Sequence, residues 1–407
     1  MVAFILLPLY YRLNLTSIYN YLQQRFGNVT YKTGASFFIL SRILGATLRI
    51  FLVINVLQLF MLDQWHVPFV ITTCIILLMI LLYTFKGGVK TIVWTDTLQT
   101  TFMLLALVVS VIMICNELGF SFSTMLATLR EKNYTEIFIT GADSKRFFLK
   151  QIIGGAFITI AMTGLDQEMM QKNISCKTLG EAQKNMVTFS FILVLVNLLF
   201  LTLGGVLYLY ADAKAIPIPK LTDDLFPTIA LNYLSPFVGI IFIIGLISAL
   251  FPSADGALTA LTSSFCIDIL GLKNRNDLSE KQKTRVRYTV HFIFTFIFLV
   301  CIVIFKIINQ RAIIDLLLDI AGYTYGPLLG LFAFGIFTRR KIYNRFVPLV
   351  CLTAPLLSFG LNTLSDRKIL FGNYQIGLEL LLINGVLTFL GLLIISKKDE
   401  RKVDIVY

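Results

Sequence analysis

The chain has 407 residues, of which 57% are hydrophobic and only 14% charged, and its formal net charge is +12. Soluble globular chains carry roughly 25% charged residues, so this composition excludes a water-facing surface over most of the protein. The basic excess lies between apolar runs, as in the cytoplasmic loops of a protein embedded in a lipid bilayer, and does not indicate a nucleic-acid partner.

The first ten residues, MVAFILLPLY, are apolar but too short to span a membrane. They lack the basic flank and small-residue cleavage site of a signal peptide, and read as the tail of a span. A complete span needs about 20 mostly apolar residues. Ten such stretches follow in order, at 36–62, 68–85, 90–115, 148–165, 186–210, 236–268, 287–306, 312–337, 346–364 and 376–396. The expected architecture is an all-α polytopic membrane protein.

Lys and Arg set the orientation. If the loop at 11–35 is cytoplasmic, that side holds 22 of the 35 and the other side 11, while Arg42 and Arg49 lie inside a span. The bias is concentrated in short loops and places the C-terminus in the cytoplasm.

The six cysteines have no paired or metal-ligand spacing, and two histidines are too few for a His-based centre. No G-x-x-x-x-G-K-[ST] run is present, so no ATP-driven motor is expected. No K⁺-filter signature occurs either. An enzyme is not expected, nor any cofactor beyond a coupling ion.

Ionisable groups at membrane depth are costly and usually functional. Asp96 lies in GGVKTIVWTDTLQTTFMLL, about two turns into a span. It is read as a cation ligand or proton carrier, or as a carboxylate paired with a loop lysine. GLISALFPSADGALTALTSSFCID (245–268) combines a small-residue helical face with Asp255. Pro252 has no N–H, so the Ser248 carbonyl loses its helical partner. That carbonyl, the hydroxyls of Ser253 and Thr259 and the Asp255 carboxylate are hard oxygen donors suited to Na⁺. Close helix packing is the competing reading. Arg42 and Arg49, seven apart and on one face, either pair with acidic residues or hold an anionic substrate. Glu379 reads as peripheral. AGYTYGPLLGLFAFGIF (321–337) is read as a hinge or cavity lining, or as a kinked packing helix.

Four stretches, LPLYYRLNLTSIYNYLQQRFG, GGVKTIVWTDTLQTTFML, DQEMMQKNISCKTLGEAQKN and SALFPSADGALTALTSSFCIDIL, resemble the sodium:solute symporter family. That family includes the sodium/glucose, sodium/proline and sodium/sialic acid carriers. The resemblance implies an inverted-repeat transporter fold of 5+5 helices plus extra helices. Residues 1–115 would be the remainder of the first repeat (helices 2–5), 148–337 the second (helices 6–10), and 338–407 the appended helices 11–12 with a cytoplasmic tail.

It also implies a sodium-coupled symporter of the inner or plasma membrane, whose partners are Na⁺ and a small solute. On the family's helix 8, Ala249 matches a carbonyl ligand of Na⁺ and Ser253 a hydroxyl ligand. Pro252 departs from the pattern by removing a second hydroxyl. Asp96 matches a carboxylate tied to a second cation or a proton, and Asp255 and Gly256 fall where some members have serines. Arg42 and Arg49 are the substrate candidates. Relative to the family the chain begins inside helix 2. It is expected to be N-terminally truncated, a piece of a longer gene product, with an inactive homologue as the alternative.

Overall fold

The computed structural model describes residues 1–15, 17–86, 89–308, 311–370 and 372–397. Gly87, Gly88 and the basic stretch from Lys398 onward lie outside the described residues. Two short helices, α1 (Leu7–Arg12) and α2 (Asn20–Phe26), precede α3 (Asn28–Leu57). Then come α4 (Phe69–Lys86), α5 (Val89–Glu117), α6 (Phe122–Glu131), α7 (Phe148–Thr159), α8 (Gln167–Ile174), α9 (Leu179–Ala213) and α10 (Leu225–Asn232). The remaining helices are α11 (Pro236–Ser264), α12 (Glu280–Ile308), α13 (Ile313–Phe337), α14 (Val347–Asp366) and α15 (Leu380–Ile394). A two-residue antiparallel pairing joins β1 (Lys341–Ile342) to β2 (Ser396–Lys397).

Among the described residues, 7 helical segments are long and apolar enough to cross a membrane, built on α3, α5, α9, α11, α12, α13 and α14. They coincide with seven of the ten predicted spans. The stretch expected at 148–165 is helical through Gly164 and then turns by 65° into α8. Those expected at 68–85 and 376–396 form α4 and α15, and the 15 residues of α15 reach only about 22 Å.

Burial ranks the helices. The apolar window of α13 is 72% buried and that of α9 only 11%, so α13 is central and α9 turns most of its surface outward. The long α3 packs on α11, α12 and α13 and belongs to two apolar cores. One core holds Tyr10, Tyr19, Phe38 and Phe332; the other holds Leu48, Phe51, Leu258 and Phe298.

The 321–337 segment runs as one helix through Pro327. Its glycines serve close approach, because the Cβ positions of Gly322, Gly326 and Gly330 are filled by Leu380, Asn384 and Thr388 of α15. Pro327 leaves the Tyr323 carbonyl without its helical donor. The Asn384 side-chain amide supplies one instead, at 2.8 Å, and also donates to Gly322 O at 3.0 Å.

Glu379, expected to be peripheral, is instead partnered across helices. It accepts a hydrogen bond from the Tyr374 hydroxyl at 3.0 Å and faces the Lys150 ammonium at 3.8 Å, which ties α7 to the start of α15. Burial, then the Glu379 bond, push the Tyr374 phenol up to about 12, so it remains a donor at neutral pH.

The bend between α7 and α8 frees backbone carbonyls that need donors at this depth. Tyr10 Oη donates to Gly164 O at 2.8 Å and Tyr19 Oη to Leu165 O at 2.9 Å. At the far end of α8, Tyr11 Oη donates to Asn173 O at 3.1 Å and Cys176 O at 3.0 Å. Tyr10→Phe and Tyr19→Phe each orphan a buried carbonyl, at a cost of about 1–3 kcal/mol. Each should lower the melting temperature in detergent, whereas Tyr134→Phe at an exposed position should not. Equal melting of all three variants overturns the capping role.

Candidate ion and solute site

The site is built outward from Asp166, the first residue after the bend. A short carboxylate suits a helix N-cap, and Asp166 Oδ1 accepts the amides of Glu168 (2.9 Å) and Met169 (3.2 Å). Its Oδ2 accepts the hydroxyl of Tyr325 from α13 at 2.8 Å and lies 3.8 Å from Arg42 Nη1 on α3. Asp166 is fully buried and Arg42 is 4% exposed. The pair therefore fastens α3, α8 and α13 together where water cannot replace either partner.

Glu168, in the first turn of α8, sits where the helix dipole favours a negative charge. Its carboxylate forms an ion pair with Arg42 Nη2. The same carboxylate rests on the α11 backbone and fills the space that a Cβ on Gly256 would need. One turn further, Lys172 lies 4.0 Å from Glu168 and 3.1 Å from Asp96 Oδ2 on α5. A chain of alternating charge thus runs from α3 across α8 to α5.

Asp255 on α11 is fully buried, within electrostatic range of both Asp96 and Lys172. Its Oδ1 accepts the Gly256 amide at 2.5 Å, while Asp255 Oδ2 and Asp96 Oδ1 are buried without a hydrogen-bond partner among the described residues. Two orphaned carboxylate oxygens on neighbouring helices fit a cation or a proton. Asp96, Asp166, Glu168 and Asp255, against Arg42, Arg49 and Lys172, leave a formal excess of one negative charge.

Arg49 lies on the same face of α3 as Arg42 and has no hydrogen bond or ion pair among the described residues. It borders a gap of about 10 Å³, lined also by Ser41, Arg42, Tyr325 and Ala321, which is roughly the space of one water. Ser41 Oγ and Arg42 Nε, both buried, also lack hydrogen-bond partners among the described residues.

The sequence-derived candidates divide accordingly. Asp96 has the lysine partner that one reading expected, and keeps one free oxygen. The arginines split between the two alternatives: Arg42 is ion-paired and Arg49 is not. Ala249 and Ser253, one turn apart and half-buried, share a face of α11, and Ser253 makes no hydrogen bond among the described residues. Asp255 lies about 200° around the helix from Ser253. The four residues therefore do not form one cluster, and no group of three or more His, Cys, Asp or Glu among the described residues could hold a metal ion.

The family model of the sodium:solute symporter family matches residues 1–344. The chain belongs to the sodium:solute symporter family. Among its relatives are the sodium/sialic acid symporter of Aliivibrio fischeri, 24% identical over 354 residues (83% of this chain, 67% of the relative), and the human sodium-coupled monocarboxylate transporter 1, 27% identical over 348 residues (82% and 55%). The human sodium/iodide cotransporter is 24% identical over 347 residues (82% and 52%). The chain thus spans about two thirds of the bacterial relative and about half of the human ones. A substrate-bound, outward-open Na⁺-coupled sialic acid symporter shares the fold with a TM-score of 0.79 at 20% identity, covering 98% of this chain and 82% of that one. The protein is thus a multi-pass membrane protein of a sodium-coupled transporter family.

Sequence reasoning missed Asp166, Glu168, Lys172 and Tyr325 as candidate site residues. The available signal was three charged residues within seven positions directly after an apolar run. The fit of Glu168 against Gly256 is directly testable. Gly256→Ala forces the carboxylate off α11 and should cost about 1–3 kcal/mol. In the Gly256→Ala/Glu168→Ala double variant the cost should fall below the sum of the single changes. Strictly additive melting shifts would show that the two positions do not meet.

Proposed function

We propose that this protein is a sodium-coupled secondary symporter that imports a small organic anion by alternating access. The observation that carries the anion class is Arg49, a guanidinium at membrane depth with no hydrogen bond or ion pair among the described residues, facing a gap whose other walls offer Arg42 Nε, Ser41 Oγ and Tyr325. Unpaired charge at such depth is costly, and a carboxylate solute would relieve it. The relatives named above act on sialic acid, monocarboxylates and iodide, all of which carry negative charge.

Two cation positions are assigned. The first uses the Ala249 carbonyl and the Ser253 hydroxyl on α11, with Pro252 unable to add a second hydroxyl. The second uses the free oxygens of Asp96 and Asp255. One Na⁺ would neutralise the excess negative charge of the cluster. The Na⁺ gradient and the membrane potential, about 2.3 kcal/mol per charge per 100 mV, would drive uptake into the cell. The gap is too small for an organic solute, so entry requires α3 or its neighbours to move. The reading includes the 5+5 inverted repeat, with residues 1–115 in the first repeat, 148–337 in the second and 338–407 appended. It places the C-terminus in the cytoplasm of the inner or plasma membrane. The protein is read as a transporter and not as an enzyme, and no ATP is involved.

The test is uptake into proteoliposomes under an inward Na⁺ gradient, with a panel of carboxylates, sugars and amino acids. Ser253→Ala and Asp96→Asn should each raise the Na⁺ concentration for half-maximal uptake. Arg49→Gln should weaken the apparent affinity for the carboxylate by about 10-fold or more, because a charge-assisted pair is lost. Unchanged Na⁺ dependence in both ion-site variants sinks the cation assignment. Preference for neutral solutes, unaffected by Arg49→Gln, sinks the anion assignment.

A further inference from the structure

The two carboxylates that neutralise Arg42 are held very differently. Asp166 is committed: Oδ1 takes two backbone amides and Oδ2 the Tyr325 hydroxyl, and its separation from Arg42 is 3.8 Å. Glu168 makes no other side-chain bond among the described residues than its ion pairs with Arg42 and, at 4.0 Å, Lys172. Lys172 is itself shared, with Asp96 at 3.1 Å. Asp96 has one oxygen already free and lies in range of Asp255. Among the described residues, the exchangeable carboxylate on Arg42 is therefore one helical turn from the ammonium on Asp96.

We propose that Glu168 is a tethered counter-anion, which holds Arg42 while the solute is absent and releases it when a cation takes Asp96 from Lys172. A cation coordinated by Asp96 competes with the Lys172 ammonium for the same carboxylate. The nearest other anion for Lys172 is Glu168, on its own helix. With Glu168 shared between Lys172 and Arg42, the Arg42 guanidinium turns its donors to the gap, beside Arg49. A solute carboxylate then takes the place that Glu168 gave up. Each step exchanges one ion pair for another, so no charge at this depth is left bare. Ligands coupled in this way strengthen each other equally. Glu168 and Lys172 are positioning residues in this scheme, and touch neither ligand.

The proposal rests on the sodium–anion reading above and is tested separately from it. The full chain, purified in detergent, is titrated with pyruvate and with N-acetylneuraminate by calorimetry, at low and at high Na⁺, with choline chloride holding ionic strength constant. Wild type should bind one of these probes more tightly at high Na⁺, within the roughly 5–150-fold range usual for coupled sites. Glu168→Gln should bind it at low Na⁺ nearly as tightly as wild type does at high Na⁺, leaving a Na⁺ effect of about 2-fold or less. Glu168→Asp should restore the Na⁺ effect.

Lys172→Gln should do the opposite and keep the weak, low-Na⁺ affinity at both concentrations. It also serves if Glu168→Gln does not give a monodisperse protein. A wild-type Na⁺ effect in both Gln variants overturns the proposal, and so does an equal loss of affinity at both Na⁺ levels in Glu168→Gln. If wild type binds neither probe at any Na⁺ concentration, the anion reading has failed and this proposal falls with it.

Discussion

The structure depends on the neutralisation of Arg42. A guanidinium in the middle of a 30-residue apolar helix has no water to solvate it, and removing one partner of a buried ion pair costs about 3–5 kcal/mol. Its two carboxylates must come from elsewhere in the chain. Asp166 and Glu168 reach it only because the α7 segment ends at Gly164 and the chain turns. The turn in turn needs Tyr10 and Tyr19 for its free carbonyls. The charge on α3 is thus linked through Asp166 and Glu168 to the bend, to α8 and to the tyrosines that cap the bend.

The same arrangement separates structural charge from available charge. Arg42 is held between Asp166 and Glu168 inside the protein. Arg49, Asp96 and Asp255 are incompletely partnered among the described residues, and they lie on α3, α5 and α11, next to this paired group. A site of this kind needs both classes. The firmly held Asp166 fixes geometry, and the incompletely partnered groups keep binding capacity that a folded protein would otherwise have removed.

The helical, multi-pass character of the fold was legible in the sequence because apolar length is a local signal. Seven of ten predicted spans reappear as helices long enough to cross a membrane. The bend after 148–165 was not foreseen, because it is stabilised by tyrosine hydroxyls more than 140 positions away in the chain. The site was legible only in part. Asp96, Asp255, Arg42 and Arg49 stand out by depth alone. Their partners do not, because Glu168 and Lys172 lie in a stretch whose composition is that of an ordinary loop. Pairing across 126 and 76 residues leaves no trace in periodicity. The opposite placement of Ser253 and Asp255 on α11 could have been read from helical spacing. In the sequence, proximity in number suggested one site.

Asn384 has a mechanical consequence. By bonding the carbonyl that Pro327 releases, and by lying against Gly326, its side chain ties α15 directly to the backbone of α13. The proline that would ordinarily give α13 a flexible joint is braced by a neighbour, and the two helices form a single stiff strut. Tyr325 is mounted on that strut. Widening the gap beside Arg49 by bending α13 would break the brace, so the softer route is displacement of α3 or of the α7–α8 elbow against a fixed wall.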